Sequence, residues 1–481
     1  MRFAIAAAPA LLILLAVAQG APRGAEAAPA SSKSAAPELD WNKLDAEAIE
    51  YFRTYLRFDT SNPPDDTAAA IAFLQGILNK YGIASETFAP KPGALNLVAR
   101  LPGPAGVKPL LLMSHADVVP AVAADWSHPP FAADLAEGYV WGRGAIDNKA
   151  HGIMALMTML ALKRQGVALR RGVEMMVNAD EEAGGEDGAG FIAAMHFDAI
   201  DPAYAFNEGG SGTLHWLGCD GVTFRIAVSE KRVMWLRLTA RGKSGHGSAP
   251  NDDNPNLILI RALARLLQRQ PPIRITANFD RAMKTVALRL SFPASFELAH
   301  LGWPLMAELA MRGPLAEYHV QALMHDTIAP TMLQAGIKVN VIPSTAQAAL
   351  DCRLLPGTDA QAALKRIRDL LADSRISIDF IQRPDEAPES PAEGEAWDAI
   401  EKVVGRDFPG AVTVPSMTAG GTDSRFLRLH GVPSYGFVPI VLDQREAERV
   451  HGVDERLSVE NLNRAIRATY DLVMELCGPQ S

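Results

Sequence analysis

The stretch that decides the fold is VNADEEAGG, Val177–Gly185, where a buried strand runs out into adjacent acids. The apolar run 173–177 predicts the strand, and the glycine pair 184–185 predicts a turn directly after it. The three acids Asp180–Glu182 repel one another unless a cation lies among them. We therefore expect one acid to bind a metal ion and its neighbour to move a proton.

Length and charge limit the class of protein. The chain has 481 residues, enough for two domains and a large core. Its formal net charge of -9 argues against nucleic acid or an anionic membrane surface as the main partner. Cys219, Cys352 and Cys477 form no CxxC motif and no disulfide framework. Any metal ion must therefore be held by His, Asp and Glu.

Residues 1–20 have the layout of a secretory signal peptide. Arg2 precedes an apolar run that extends to about residue 18, and small residues follow it. The run is short for a membrane span, and an uncleaved anchor is the alternative. Residues 21–37, rich in Ala, Pro and Ser, predict a disordered linker. We expect the mature protein to be periplasmic or secreted.

Strands and helices alternate after this linker, which predicts an α/β domain with a mainly parallel sheet. The predicted strands are 96–101, 109–113, 173–178 and 203–206, and the predicted helices are 41–57, 68–81, 149–164, 188–195 and 458–476. In such sheets functional groups gather beyond the carboxyl ends of the strands.

The pattern changes near Glu230, which predicts an inserted domain. Strands at 232–241, 337–341, 345–354 and 376–381, with helices at 256–268 and 359–372, follow the order β-α-β-β-α-β. This order is typical of a ferredoxin-like fold, although residues 270–336 find no place in it. The predicted domains are therefore residues 38–229 with 386–481, and residues 230–385.

Histidines and acids follow the predicted strand ends. His115 and Asp117 follow the second strand, Glu208 follows the fourth, Asp147 precedes a helix, and His451 precedes the last helix. Alone, each is more often an ordinary core or loop residue. Together with the acids at 180–182 they suit two divalent ions, which need a bridging carboxylate and terminal nitrogen or oxygen ligands.

These segments resemble the M20 family of metallo-aminoacylases and carboxypeptidases. The shared segments are SHADVVP (114–120), WSHPPF (126–131), GRGAIDNK (142–149), NADEEAGG (178–185), NEGG (207–210), SGHGSAP (244–250), KVNVIPS (338–344), DCRLLPG (351–357), GGTDSRFL (420–427) and HGVDE (451–455). Three of them favour the branch of carboxypeptidase S and secreted N-acyl-amino-acid hydrolases. The resemblance implies a zinc-exopeptidase-like catalytic domain interrupted by a lid or dimerisation domain.

The resemblance also implies a two-zinc site. Its ligands would be Asp147 between the ions, His115 and Glu208 on one ion, and Glu182 and His451 on the other. Glu181 would be the general base that takes a proton from the water between the ions. Asp117 would orient His115. Carboxylate-rich ligands could also hold Co²⁺ or Mn²⁺.

The substrate residues implied by the resemblance lie in the inserted domain and in one late loop. His246 would stabilise the oxyanion, in dimeric members from the partner subunit. Asn340 and Arg353 would hold the free carboxylate of the substrate, for which an Arg fork is well suited. Gly421 and Thr422 would line the pocket through backbone amides. From the residues alone, His246 reads as a loop histidine and Arg353 as an exposed strand residue.

The sequence thus predicts a metal-dependent hydrolase that cleaves an amide bond next to a free carboxylate, in small peptides or N-acyl amino acids. A biosynthetic-type deacetylase or desuccinylase of the same family is the alternative enzyme. A non-catalytic, metal-bearing binding protein is the alternative from another class. A homodimer formed through the lid domain is a further expectation.

Overall fold

The structure, a computed structural model, describes residues 39–385 and 388–479. The predicted signal peptide and linker lie outside the described residues. Within the described part of the chain, no helix is both long enough and apolar enough to cross a membrane.

The helices are α1 (Trp41–Leu56), α2 (Ala68–Lys80), α3 (Lys149–Gln165), α4 (Ala189–Met195), α5 (Pro255–Leu267), α6 (Ala277–Ala287), α7 (Ala294–Ala299), α8 (Pro304–Arg312), α9 (Tyr318–Gln321), α10 (Ala360–Leu371), α11 (Glu395–Asp407), α12 (Ser424–Leu429), α13 (Gln444–Ala447) and α14 (Val459–Cys477). The strands are β1 (Ala84–Phe88), β2 (Asn96–Leu101), β3 (Leu110–His115), β4 (Asp134–Ala136), β5 (Tyr139–Trp141), β6 (Val173–Asn178), β7 (Tyr204–Asn207), β8 (Gly212–Leu214), β9 (Val222–Glu230), β10 (Arg232–Arg241), β11 (Gly245–His246), β12 (Thr327–Ala335), β13 (Val341–Ile342), β14 (Thr345–Leu354), β15 (Ile376–Gln382), β16 (Val412–Thr418), β17 (Ser434–Gly436), β18 (Val441–Leu442) and β19 (Arg456–Ser458).

The larger sheet has the order β1-β2-β6-β3-β7-β17-β9-β8-β18, with β16 paired to β9. Its centre, β6-β3-β7-β17, is parallel. Three pairs are antiparallel: β1 with β2, β2 with β6, and β17 with β9. Every residue of β3 and β6 is buried, as expected for strands covered on both faces. The predicted α/β architecture with a parallel centre is confirmed.

Alternate residues of β3 enter two different cores, because successive side chains of a strand point to opposite faces. Leu110 and Leu112 pack in the core that contains α1, α3 and α14. Leu111 and Met113 pack in a smaller core with α4 and α12. Residues 149–162 of α3 are all buried, so this helix lies fully inside the protein behind the sheet.

The second sheet is antiparallel throughout and has the order β12-β14-β10-β15. Side chains of α5 and α10 pack on it in a separate core. With the chain order β10-α5-β12-β14-α10-β15, this is the predicted ferredoxin-like arrangement. The helices α6 to α9 pack in another core, together with Val414 and Met417 of β16.

The strand predicted at 337–341 is wrong. β12 pairs with β14 in its place, and of the predicted segment only Val341 is part of a strand, the two-residue β13 that pairs with β11. Ile337 and Val339 alternate like a strand but are fully exposed, at 94% and 102%. β12 escaped prediction because Pro330 interrupts it, which an edge strand tolerates at the register shift beside that residue.

Candidate metal centre

The parallel centre of the larger sheet brings three strand ends to one edge. His115 is the last residue of β3, and Glu208 directly follows β7. Glu181 and Glu182 lie on a single 3₁₀ turn that begins after β6. The remaining metal-site residues come from loops, and backbone pairing of β19 with β5 brings the loop of His451 beside that of Asp147.

The carboxylate of Asp147 lies between two histidines, within hydrogen-bond distance of each. Its Oδ1 lies 3.0 Å from His115 Nε2, and its Oδ2 lies 3.2 Å from His451 Nε2. Glu182 Oε2 lies 3.1 Å from His451 Nε2, and Glu208 Oε2 lies 3.4 Å from His115 Nε2. Each oxygen of Asp147 therefore faces a different histidine, and each histidine faces a second carboxylate.

This donor set fits two divalent ions. Ligand atoms of His115, Asp147 and Glu182 lie within 4.8 Å of one another, as do those of His115, Glu181 and Glu208. Glu182 Oε1 is buried and finds no hydrogen-bond partner among the described residues. An orphaned carboxylate oxygen beside imidazole nitrogens is what a cation site requires, because nitrogen and oxygen donors of this kind bind zinc and related ions.

The histidines and carboxylates of the site shift one another's pKa values. Burial would raise the pKa of Asp147, but hydrogen bonds from His115 and His451 lower it further than burial raises it. Burial would lower the pKa of His115, yet the carboxylates of Glu208, Asp117 and Asp147 hold it well above its ordinary value. Hydrogen bonds to Asp147 and Glu182 raise the pKa of His451 to about 10. In the metal-free protein the raised pKa values favour protonated histidines beside these carboxylates.

Glu181 has the environment of a general base. Burial raises the pKa of its carboxyl group well above the ordinary value, and the charge of Glu208 adds to the rise. A carboxylate with a raised pKa accepts a proton more readily, as a general base must. Its neighbour Glu182 points to His451 instead, so the two glutamates of the turn face different partners.

Asp117 fixes both His115 and the glutamate turn. Its backbone carbonyl lies 2.9 Å from His115 Nδ1 and accepts the proton there, which leaves Nε2 free to face Asp147. Its fully buried carboxylate accepts the backbone N–H groups of Glu181 at 3.2 Å and Glu182 at 3.1 Å. Sequence reasoning assigned Asp117 to His115 and missed its hold on the turn.

Two further positioning residues escaped the sequence analysis. Glu455 is fully buried and accepts N–H groups from Gly144, Ile146 and Asp147 at 2.7–2.9 Å. Asn148 donates to Glu208 Oε2 at 2.7 Å. The signal for Glu455 was its place in HGVDE, four residues after His451, where an acid without an assigned role stands beside a candidate ligand.

Asp180 starts the glutamate turn in a left-handed backbone conformation, with φ of 65°. Its Oδ2 accepts the N–H of Asp187 at 3.0 Å and its Oδ1 accepts the side chain of Asn62. Gly185 ends the turn with φ of 72°, and a Cβ there would lie 2.3 Å from Asp423 Oδ1. The turn is therefore shaped at both ends by residues that hold the glutamates in place.

A cavity of about 450 Å³ opens beside the centre. Its wall includes the metal-site residues other than His115, and an apolar group, Ile146, Val438, Ile440, Leu442 and Val450. Gly421 and Thr422 also line it, although the N–H of Thr422 is already donated to Glu230. Arg225 forms part of the wall too, a residue that sequence reasoning did not single out.

The other predicted substrate residues lie in the inserted domain and do not line this cavity. His246 and Asn340 are exposed neighbours, joined where the N–H of Gly247 donates to the Asn340 carbonyl at 2.8 Å. Arg353 pairs with Asp351 of its own strand at 2.7 Å. In this arrangement they are apart from the cavity, and their roles stay a prediction.

Comparisons with known proteins give consistent matches. The profile of peptidase family M20/M25/M40 matches residues 111–475. N-fatty-acyl-amino acid synthase/hydrolase PM20D1 of Homo sapiens is 32% identical over 376 residues, 76% of this chain and 74% of that protein. Aminoacylase-1 of Sus scrofa is 29% identical over 418 residues, 85% of this chain and 90% of that protein.

Among solved structures, the M20 family metallo-carboxypeptidase Sso-CP2 from Sulfolobus solfataricus is similar, with a TM-score of 0.67 at 16% identity. The likeness covers 89% of this chain and 98% of that chain. It confirms the predicted fold class, a catalytic α/β domain with a mainly parallel sheet and an inserted ferredoxin-like domain.

Proposed function

The chain belongs to peptidase family M20/M25/M40 and is a hydrolase of that family, and on this premise we propose that it cleaves an amide bond next to a free carboxylate. The substrates are N-acyl amino acids or small peptides cut from the carboxyl end. The observation that carries the proposal is the position of Glu181 in one ligand cluster with His115 and Glu208.

Two divalent ions belong to this proposal, zinc in the first instance, with Co²⁺ or Mn²⁺ as alternatives. Asp147 would lie between them, with His115 and Glu208 on one side and Glu182 and His451 on the other. When bound, the ions polarise the scissile carbonyl and make water more acidic.

Glu181 moves the proton. Its carboxylate takes a proton from a water molecule at the centre while the water oxygen bonds to the scissile carbonyl carbon. When the carbon–nitrogen bond breaks, Glu181 returns that proton to the leaving amine. The free carboxylic acid and the free amino group of the two products account for all the atoms of substrate and water.

The apolar wall of the cavity supports an acyl group or an apolar side chain as its occupant. Val438, Ile440 and Val450 line it next to the metal-site residues. The PM20D1 relatives are named N-fatty-acyl-amino acid synthase/hydrolases, which agrees with an aliphatic occupant. Arg353 of the second sheet, together with Asn340, would hold the free carboxylate once the inserted domain closes over the cavity as a lid. His246 would stabilise the oxyanion in the site of the partner subunit.

A second copy of the chain is the proposed partner, bound through the second sheet. β12 is an edge strand, so its outer backbone groups have no strand partner in the described chain. Met332 and Leu333 on it are 68% and 70% exposed. An exposed apolar edge strand is a ready template for pairing with another chain. The dimer would work in the periplasm or outside the cell, as the predicted signal peptide requires.

Product detection tests the function. The purified protein, loaded with Zn²⁺, is incubated with a mixed panel of dipeptides and N-acyl amino acids, with and without chelator, and products are identified by mass spectrometry. The proposal expects free amino acids that appear only without chelator. A metal-loaded protein that binds members of the panel and releases nothing would instead be a binding protein. Release confined to succinyl or acetyl biosynthetic intermediates would favour the deacetylase or desuccinylase alternative.

A further inference from the structure

Arg225 is a cation without a counter-ion in the wall of the cavity. It lies in the middle of β9 and its guanidinium stacks over the ring of Trp216 at 5.3 Å. Among the residues that the structure describes, no carboxylate pairs with it, and its buried Nε has no hydrogen-bond partner. The residue as a whole is half-buried, and it differs from the fully buried Arg143 and Arg428 of the larger domain, which each pair with a glutamate.

Leaving a guanidinium in such a place costs free energy. Burial lowers the pKa of Arg225, and no acid acts in the opposite direction. A cation–π contact with Trp216 offsets part of the cost of removing a cation from water, but a buried charge is normally paired. The missing pair and the open cavity in front of Arg225 together indicate that the counter-ion arrives with the ligand.

The surroundings show which part of a ligand would meet Arg225. The metal-site acids line the same cavity as Arg225, and Val438 and Ile440 provide apolar surface there. Ser211 accompanies Arg225 on the wall as a further polar group. A ligand that reaches from the centre to Arg225 therefore has a short aliphatic segment and an anionic end.

We propose that Arg225 binds a second carboxylate at the far end of the substrate's acyl group. The inference rests on the proposed function, which assigns the first carboxylate to the second sheet. The substrate class is then N-acyl amino acids whose acyl group is a short dicarboxylic acid, together with dipeptides whose first residue is acidic. An Arg fork recognises a carboxylate by two parallel hydrogen bonds, which gives both affinity and selectivity.

Two substrates of equal size test the inference in the metal-loaded enzyme. One is N-glutaryl-phenylalanine, and the other is N-glutaramoyl-phenylalanine, in which a neutral amide replaces the carboxylate at the end of the acyl group while the phenylalanine carboxylate stays. We expect the wild type to favour the glutaryl substrate in kcat/KM by about tenfold or more. Arg225→Leu removes this preference by slowing only the acidic substrate, and Arg225→Lys keeps part of it. Arg269→Leu, which removes an exposed arginine, is the matched control and leaves both rates unchanged.

Equal rates for the two substrates in the wild type would overturn the inference, and this result needs no variant. The inference is also refuted if Arg225→Leu slows both substrates by the same factor. Arg225 would then bind a group common to both substrates or stabilise the fold.

A binding measurement separates this inference from the proposed function. Calorimetric titration of the metal-loaded protein compares glutarate with its monoamide, which differ only in the second carboxylate. We expect about tenfold tighter binding of glutarate and loss of that difference in Arg225→Leu. Tighter glutarate binding without hydrolysis of any amide would refute the proposed function and leave Arg225 in place. Hydrolysis of both substrates with no preference in rate or binding would support the proposed function and refute the role of Arg225.

Discussion

Glu455 accepts the backbone N–H of Asp147 at 2.9 Å across 308 residues of chain. The same carboxylate pairs with the guanidinium of Arg143 at 2.7 Å, and all of it is buried. The loop that carries His451 is thereby tied to the loop that carries Asp147. Glu455 thus adds a side-chain link to the backbone pairing of β19 with β5 that already holds the two loops together.

Glu455→Gln should loosen the metal centre. The glutamine side chain has the shape of glutamate, but its amide N–H faces backbone N–H groups of residues 144–147, which need an acceptor. It also leaves Arg143 without a charged partner. Loss of such a supporting residue typically costs about 10–100-fold in metal affinity. Competition with a chromophoric chelator measures it. Glu460→Gln, which changes an exposed acid of α14, is the control. Equal metal affinity in the two variants would show that Glu455 does not support the metal site.

Glu181→Gln should bind metal and lose turnover. The amide cannot accept a proton, and general base catalysis of this kind contributes about 10²–10⁴-fold. Metal content by elemental analysis and kcat on the best substrate of the panel give the two readings. Glu186→Gln alters an exposed acid of the same loop and should keep full activity. Retained activity in metal-loaded Glu181→Gln would remove Glu181 from the role of base.

Arg353→Ala should raise KM most for substrates with a free carboxylate. Its fork pairs with Asp351 in this structure and would exchange that partner for the substrate. Carboxamide analogues, which lack the charge, should be affected far less. Arg237→Ala on the neighbouring strand is the control, because it removes one exposed arginine from the same sheet without touching the proposed substrate residues. A rise in KM that is equal for acids and amides would refute the carboxylate clamp.

Metal affinity should rise with pH. In the metal-free protein the pKa of His451 is raised to about 10 by Asp147 and Glu182, so a cation must displace a proton from it below that pH. The same shift stabilises the metal-free fold fully below the unfolded histidine value of about 6.5, and this contribution is lost as pH rises toward 10. Chelator competition between pH 6.5 and 9 checks the slope. An affinity independent of pH would show that no proton is displaced.

The sequence predicted those parts of the site that depend on local order. β2, β6, β10 and β14 begin and end where their patterns predicted. Parallel pairing of β6, β3 and β7 then brings together the strand ends that carry the site residues. Glu455 could not be found this way, because its partners lie about three hundred residues earlier in the chain. Arg225 could have been noticed as a charge inside VTFRIAV, but its missing counter-ion is visible only in three dimensions.

The edge strand β12 carries the prediction about assembly. Met332 and Leu333 are adjacent, so they point to opposite faces, and both are largely exposed. Replacing both with lysine should prevent pairing of edges, because charged edge strands resist it. We expect a dimer for the wild type and a folded monomer for the double variant by light scattering and circular dichroism. A wild-type monomer at micromolar concentration would contradict the proposed partner.

Mixing two inactive variants decides whether the dimer completes the active site. His246 is exposed and does not line the cavity of its own chain, so its proposed role requires the partner subunit. In a mixed dimer of Glu181→Gln and His246→Ala, one site has its own Glu181 and receives an intact His246 from the partner. Activity should therefore appear on mixing, although each variant alone lacks it. If the mixture stays inactive while subunits exchange, His246 does not act across the interface.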